Sequence, residues 1–143
     1  MATRKKPTEQ DIKEIAEGLE CGMVCYYHTS TGEILELPNP DDIYFESEGW
    51  EDLMDRVEQE QEQLIQFEPM NSREGYLMME RFAENLDDED VKNKLLQALN
   101  RKGPFRHFKG TIDHSPYRED WFAYKSQAYR DWVKAQLSDY ADE

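Results

Sequence analysis

His28, His107 and His114 are the side chains of this sequence suited to acid/base work near neutral pH, Cys21 and Cys25 could form a redox or metal pair, and Asp87-Asp88-Glu89-Asp90 could gather round a cation. Spacing argues against each. His107 and His114 lie seven positions apart with Asp113 alongside, which would put both rings on one face of a continuous helix. Gly110 and Ser115-Pro116 predict a break there instead. The cysteines fall where a turn enters a strand, roughly 13 Å apart if extended, too far for a disulfide. They read as buried free thiols. The acidic quartet opens a helix, where the macrodipole favours carboxylates, and no glycine turn or trailing Glu of a calcium loop follows it. Capping is its expected role.

No glycine-rich phosphate loop, nucleophile elbow or zinc-spaced Cys/His set is present. Among thirty-two acids, neighbouring carboxylates arise by chance. No catalytic residue, metal ligand or cofactor site is therefore expected.

The elements that hold these residues read as α+β. Pro7 and Thr8 open a first helix with Asp11 at the third position as an approximate capping box and Ile12, Ile15, Ala16 and Leu19 on one face, and Gly18 or Gly22 helps end it. Met23–Tyr27 and Glu33–Leu37 flank a turn in which Gly32 supplies a positive φ, the pattern of an antiparallel hairpin. Pro38-Asn39-Pro40 breaks the chain. A helix with Trp50, Leu53, Met54 and Val57 on its apolar face follows, with a solvated Glu/Gln run over 58–63. Leu64–Phe67 is the third strand of a small antiparallel sheet.

Beyond residue 70 the pattern is a helical bundle. Asn71 or Ser72 starts a helix with core residues Met79, Phe82, Ala83 and Leu86; the next buries Val91, Leu95, Ala98 and Leu99. Gly103-Pro104 joins a helix stop to a helix start. The last helix runs from about 117 to about 137 with Trp121, Tyr124, Ala128, Trp132 and Ala135 on one side, widened by Phe122, Tyr129 and Val133. The expected organisation is a flexible basic N-terminus over 1–7 and one domain over 8–140, its α/β part over 8–70 and its helical part over 71–140.

The 143 residues carry a formal net charge of −15, unevenly spread. Residues 7–70 hold eighteen acids and two bases, whereas residues 101–130 hold seven bases and three acids. No apolar run approaches the ~18 residues of a membrane span, and no hydrophobic stretch follows the basic start as in a secretory signal. A cytoplasmic protein is expected.

The locally basic part centres on KGPFRHFKG, Lys102 to Gly110, which contains no acid. At about 100° per residue Phe105, Phe108 and Ile112 share one side and read as core anchors, while Arg106 and Lys109 share the adjoining flank. At ~0.15 M salt the Debye length is about 8 Å, so distant acids do not prevent such a patch from meeting an anionic partner.

The succession FEPMNSREGYLMMERF (67–82), LLQALNRKGPFRHFKGTI (95–112) and WFAYKSQAYRDWV (121–133) resembles UPF0158, a bacterial family of uncharacterised proteins, over roughly residues 20–135. The F-R-x-F-K core at 105–109, followed by a Trp-aromatic pair about a dozen residues later, is its most specific element. The resemblance implies a small, stably folded bacterial cytoplasmic protein and brings no reaction, cofactor or catalytic residue.

The expected function is thus non-catalytic: a cytoplasmic interaction or regulatory protein that meets a macromolecular partner, a protein in the first instance, through Arg101, Lys102, Arg106, Lys109, Tyr117, Phe122 and Tyr124. An RNA- or DNA-binding module using the same residues, with the aromatics as stacking groups, is the alternative. A metal-dependent hydrolase built on the acidic quartet is the third.

Overall fold

Thr8 closes the expected capping box: its hydroxyl accepts from the Asp11 N–H at 3.1 Å, and Asp11 Oδ2 accepts from the Thr8 N–H at 2.9 Å. The helix so started, α1, spans Glu9–Glu20. The computed structural model describes residues 4–39 and 48–141; residues 1–3 of the basic N-terminus and Pro40 of the expected break lie outside them. Two compact units emerge, 1–69 together with 129–143, and 70–128.

In the first unit the hairpin forms as read, from β1 (Met23–His28) and β2 (Ile34–Pro38), with Gly32 at φ +78° in the turn. Strand β3 (Leu64–Phe67) joins the other side of β1, giving the antiparallel order β2-β1-β3. Side chains alternate between the sheet's faces, and Cys25, Tyr27 and Phe67 on one face are fully buried with Ile15 and Leu19 of α1. Each such apolar side chain contributes about 1.5–3 kcal/mol.

Gly18 lies inside α1 rather than ending it; Gly22, at φ +81°, follows the helix. A Cβ at position 18 would stand 2.7 Å from Cys25 Sγ and 2.7 Å from Glu36 Oε1, so glycine is what lets α1 lie this close to the hairpin. The opposite face carries Val24, Tyr26, Leu37 and Leu64 beneath α2 (Glu51–Gln59). The expected stripe of α2 is only partly covered: none of its residues is buried, and Met54 is 37% exposed. A short 3-10 turn, Gln61–Gln63, leads into β3.

The second unit packs α3 (Ser72–Glu84), α4 (Glu89–Leu99), α5 (Pro104–Asp113) and the first half of α6 (Arg118–Ala141). Asn71 Oδ1 caps α3 by accepting from the Glu74 N–H at 2.8 Å, and Asp88 caps α4. Phe82, Phe108, Trp121 and Tyr124 form an aromatic cluster with centroid separations of 5.0–6.3 Å. Val91, Leu95, Ala98, Leu99 and Ile112 are buried in this unit. In α3 it is Met78 that is buried with Phe82 and Ala83, while Met79 and Leu86 are half-buried.

Several expectations fail for physical reasons. α5 runs unbroken through Gly110, whose φ is ordinary for a helix, and a single glycine costs only about 1 kcal/mol there. Phe105 is 38% exposed, since the core side of α5 is filled by Phe108 and Ile112 one turn apart. Among the described side chains of α6 the buried ones are Trp121, Tyr129 and Val133, spaced by multiples of four; Ala135 is exposed and Trp132 half-buried. The indole N–H of Trp132 needs an acceptor and finds the Glu68 carbonyl at 2.7 Å, which keeps the ring at the rim.

Candidate functional site

The turn between α4 and α5 brings the basic residues together. Gly103 takes φ +71° and Pro104 starts α5, so four residues, 100–103, connect the two helices. Arg101, Lys102, Arg106 and Lys109 are all exposed. Arg106 folds back over the turn, its Nη2 only 3.6 Å from where a Cβ on Gly103 would stand. Lys109 follows three residues later on the same flank. Among the described residues of this unit none of the four bases forms an ion pair with an acid.

Half-buried His107 lies beneath this cluster. Burial first, then the neighbouring charges of Arg101 and Arg106, hold its imidazole below the usual value, so it is neutral at pH 7. α5 carries His107, and His114 is the residue that ends it; the seven positions between them span roughly 10.5 Å of helical rise, too far for a common metal ion. His114 caps α5 with Nδ1 2.7 Å from the Gly110 carbonyl.

The aromatic residues named from the sequence divide. Tyr117 donates its hydroxyl to Asp88 Oδ2 at 3.2 Å, and burial followed by that carboxylate pushes its phenol above the usual value. Tyr124 sits in the aromatic cluster beside Phe82 and Trp121. Phe122 is 41% exposed, one ring face covered by the Arg118 guanidinium 4.7 Å from its centroid. Phe105, read as a core anchor, is instead the exposed ring on α5 itself; a third apolar residue on a flank already holding Phe108 and Ile112 was the available signal.

The acidic quartet does structural work. Asp88 Oδ1 accepts from the Asp90 and Val91 N–H groups, and Asp90 pairs with Lys94 at 3.1 Å. Among the described residues no three His, Cys, Asp or Glu side chains are grouped to hold a metal ion. Both cysteines are free as expected, but Cys21 is exposed because it caps the solvent end of α1. Cys25 is buried, and burial pushes its thiol up to about 12.

Two constellations in the first unit escaped sequence reading because their members are far apart in the chain. At the hairpin, His28 is buried; its Nδ1 accepts from the Ser30 and Thr31 N–H groups at 3.2 Å each, which places the ring proton on Nε2, 3.6 Å from Glu60 Oε1. Glu60 pairs with Arg56, and Arg56 holds Glu33 through two bonds of 2.9 and 2.6 Å. The second constellation is a cavity of about 490 Å³ that gathers Arg4, Lys5, Lys6 and Lys134.

A family model described as an uncharacterised protein family, UPF0158, matches residues 25–141. A UPF0158 protein of Pseudomonas aeruginosa is 26% identical over 140 residues, covering 94% of this chain and 84% of its own length. No solved structure matches the chain. Among the described residues no helix is long and apolar enough to cross a membrane.

Proposed function

We propose, since the chain belongs to the uncharacterised protein family UPF0158, that it is a non-catalytic interaction protein whose helical unit holds an acidic protein partner on the α4–α5 turn and the exposed flank of α5. The carrying observation is the set Arg101, Lys102, Arg106 and Lys109, exposed on one turn-and-helix surface with no ion pair to a described acid of their unit, beside the 38% exposed ring of Phe105. Such cations steer and orient a partner, and a neighbouring aromatic ring supplies the apolar anchor that charge alone lacks. The two free thiols fit a reducing cytoplasm.

A second reading, single-stranded nucleic acid, draws on the same adjacency of Phe105 to cations, because a partly exposed ring can take a stacked base. The deciding experiment compares wild-type protein with the Arg106→Glu/Lys109→Glu double variant in affinity capture from nuclease-treated bacterial lysate, with circular dichroism to confirm folding. A protein retained by wild type and lost by the variant supports the proposal. Binding of labelled single-stranded RNA with a log–log salt slope near −3, the value for about four phosphate contacts, moves the assignment to nucleic acid. Identical behaviour of wild type and variant in both assays removes this surface from the function.

A further inference from the structure

The first unit holds seven bases against twenty-two acids, and four of those seven line one cavity. In so acidic a unit, bases scattered over the surface would each find carboxylates; here they converge. Arg4, Lys5 and Lys6 come from the segment ahead of α1, and Lys134 comes from α6, 128 residues beyond Lys6.

The segment is fixed in register. The Lys5 N–H donates to the Thr29 carbonyl at 2.6 Å, and Lys5 Nζ lies 3.4 Å from the Thr31 carbonyl, so Lys5 is tied to the hairpin. Arg4 Nη1 donates to the Tyr140 hydroxyl at 3.2 Å, which orients the guanidinium and leaves its other N–H groups for a ligand. Lys134 reaches Glu9 at 3.4 Å through an exposed pair, a contact weak enough for an incoming anion to replace. Lys6 has no ion pair with a described acid.

The floor between these cations is apolar. Ile65 of β3 and Leu137 of α6 line it, with the ring of Pro7 beside them. An inorganic ion would leave that floor wet, whereas an organic anion covers it while its charged end meets the cations. At about 490 Å³ the cavity falls within the 300–1,000 Å³ range of small-molecule sites, and its mostly apolar wall with a few convergent polar groups is the usual composition of one.

We propose that Arg4, Lys5, Lys6 and Lys134 form a binding site for a small organic phosphate or carboxylate whose apolar body rests on Ile65 and Leu137. The site lies apart from the α5 surface in sequence and in compact unit, and stands whether or not that surface binds a partner. Arg4 supplies the planar fork that suits a phosphate or carboxylate, and the lysines act as mobile point charges.

Isothermal titration of the full chain tests it with phenyl phosphate, octanoate, inorganic phosphate and vesicles containing phosphatidylglycerol. The expected result is binding of phenyl phosphate or octanoate that is at least about tenfold tighter than that of inorganic phosphate and is weakened about tenfold or more by Arg4→Gln/Lys6→Gln. The Arg106→Glu/Lys109→Glu variant should bind the same probes as wild type. Because Arg4 and Lys6 are exposed, their replacement leaves the core intact, and a thermal melt of the variant verifies this. Equal affinity for inorganic and organic phosphate, unchanged affinity in Arg4→Gln/Lys6→Gln, binding to vesicles alone, or no heat with any probe at millimolar concentration each overturns the proposal.

Discussion

Gln136 pairs both halves of its side-chain amide with the backbone of Glu68: Oε1 accepts from the Glu68 N–H at 3.0 Å, and Nε2 donates to the Glu68 carbonyl at 3.2 Å. The Trp132 indole shares that carbonyl at 2.7 Å. Because the Gln63 carbonyl faces β1, receiving the Thr29 N–H, strand alternation turns Glu68 outward, so two helix side chains complete the edge that a fourth strand would otherwise occupy. Gln136→Ala should cost about 0.5–1.5 kcal/mol in urea denaturation. Combined with Trp132→Phe the losses should not add, because the two donors share one acceptor.

The two phenylalanines of the basic island should respond oppositely to truncation. Phe108→Ala removes a fully buried ring from the cluster with Trp121 and should cost about 3–5 kcal/mol. Phe105→Ala, at an exposed position, should cost under about 1 kcal/mol while weakening partner capture. Chemical denaturation of both, with the capture assay on Phe105→Ala, checks the pair.

Two helical glycines should give stability changes of opposite sign. Gly110 has nothing within 4 Å of the position a Cβ would take, so Gly110→Ala should stabilise by about 0.5–1 kcal/mol through helix propensity. Gly18→Ala meets Cys25 Sγ at 2.7 Å inside the core, and the overpacking cost of about 1–3 kcal/mol outweighs the same gain. Thermal melts under identical conditions read both signs.

Hydrogen bonds from Arg56, the larger effect, and its charge hold the Glu33 carboxyl below the usual glutamate value of about 4.5. The folded protein therefore binds fewer protons than the unfolded chain in that range. The stabilisation is present above about pH 4.5 and is lost as pH falls through the folded value. Glu33→Gln should be less stable than wild type at pH 7, and the gap should close on acidification; a gap that persists unchanged at pH 3 contradicts this.

Thiol reagents should distinguish the cysteines. Cys21 is exposed, whereas Cys25 is buried with its thiol pushed up to about 12. Ellman's reagent at pH 8 should modify one thiol quickly in native protein and two in denaturant, and Cys21→Ser should remove the fast phase.

Local chemistry carried most of the fold into the sequence. The Thr8 capping box, the positive φ of Gly32 and the Gly103-Pro104 junction each depend on residues within a few positions of one another, and each stands where its types demand. Which side of an element is buried depends on distant partners. Tyr129 and Val133 are buried and Ala135 is exposed, while the indole of Trp132 bonds the Glu68 carbonyl, a relation across sixty-four residues. Arg101, Lys102, Arg106 and Lys109 could be read as one cluster because nine residues contain them. The cavity was invisible because Lys134 is separated from Arg4 by 130 residues.

The division of charge between the units also bears on solubility. Residues 70–128 contain ten acids and ten bases, so the entire −15 belongs to the other unit. A neutral helical module has no colloidal repulsion to keep its copies apart, and near zero net charge proteins tend to precipitate. Joined to the acidic unit, every copy repels every other, and the helical module can display exposed arginines, lysines and a partly exposed phenyl ring without bearing the cost of self-association.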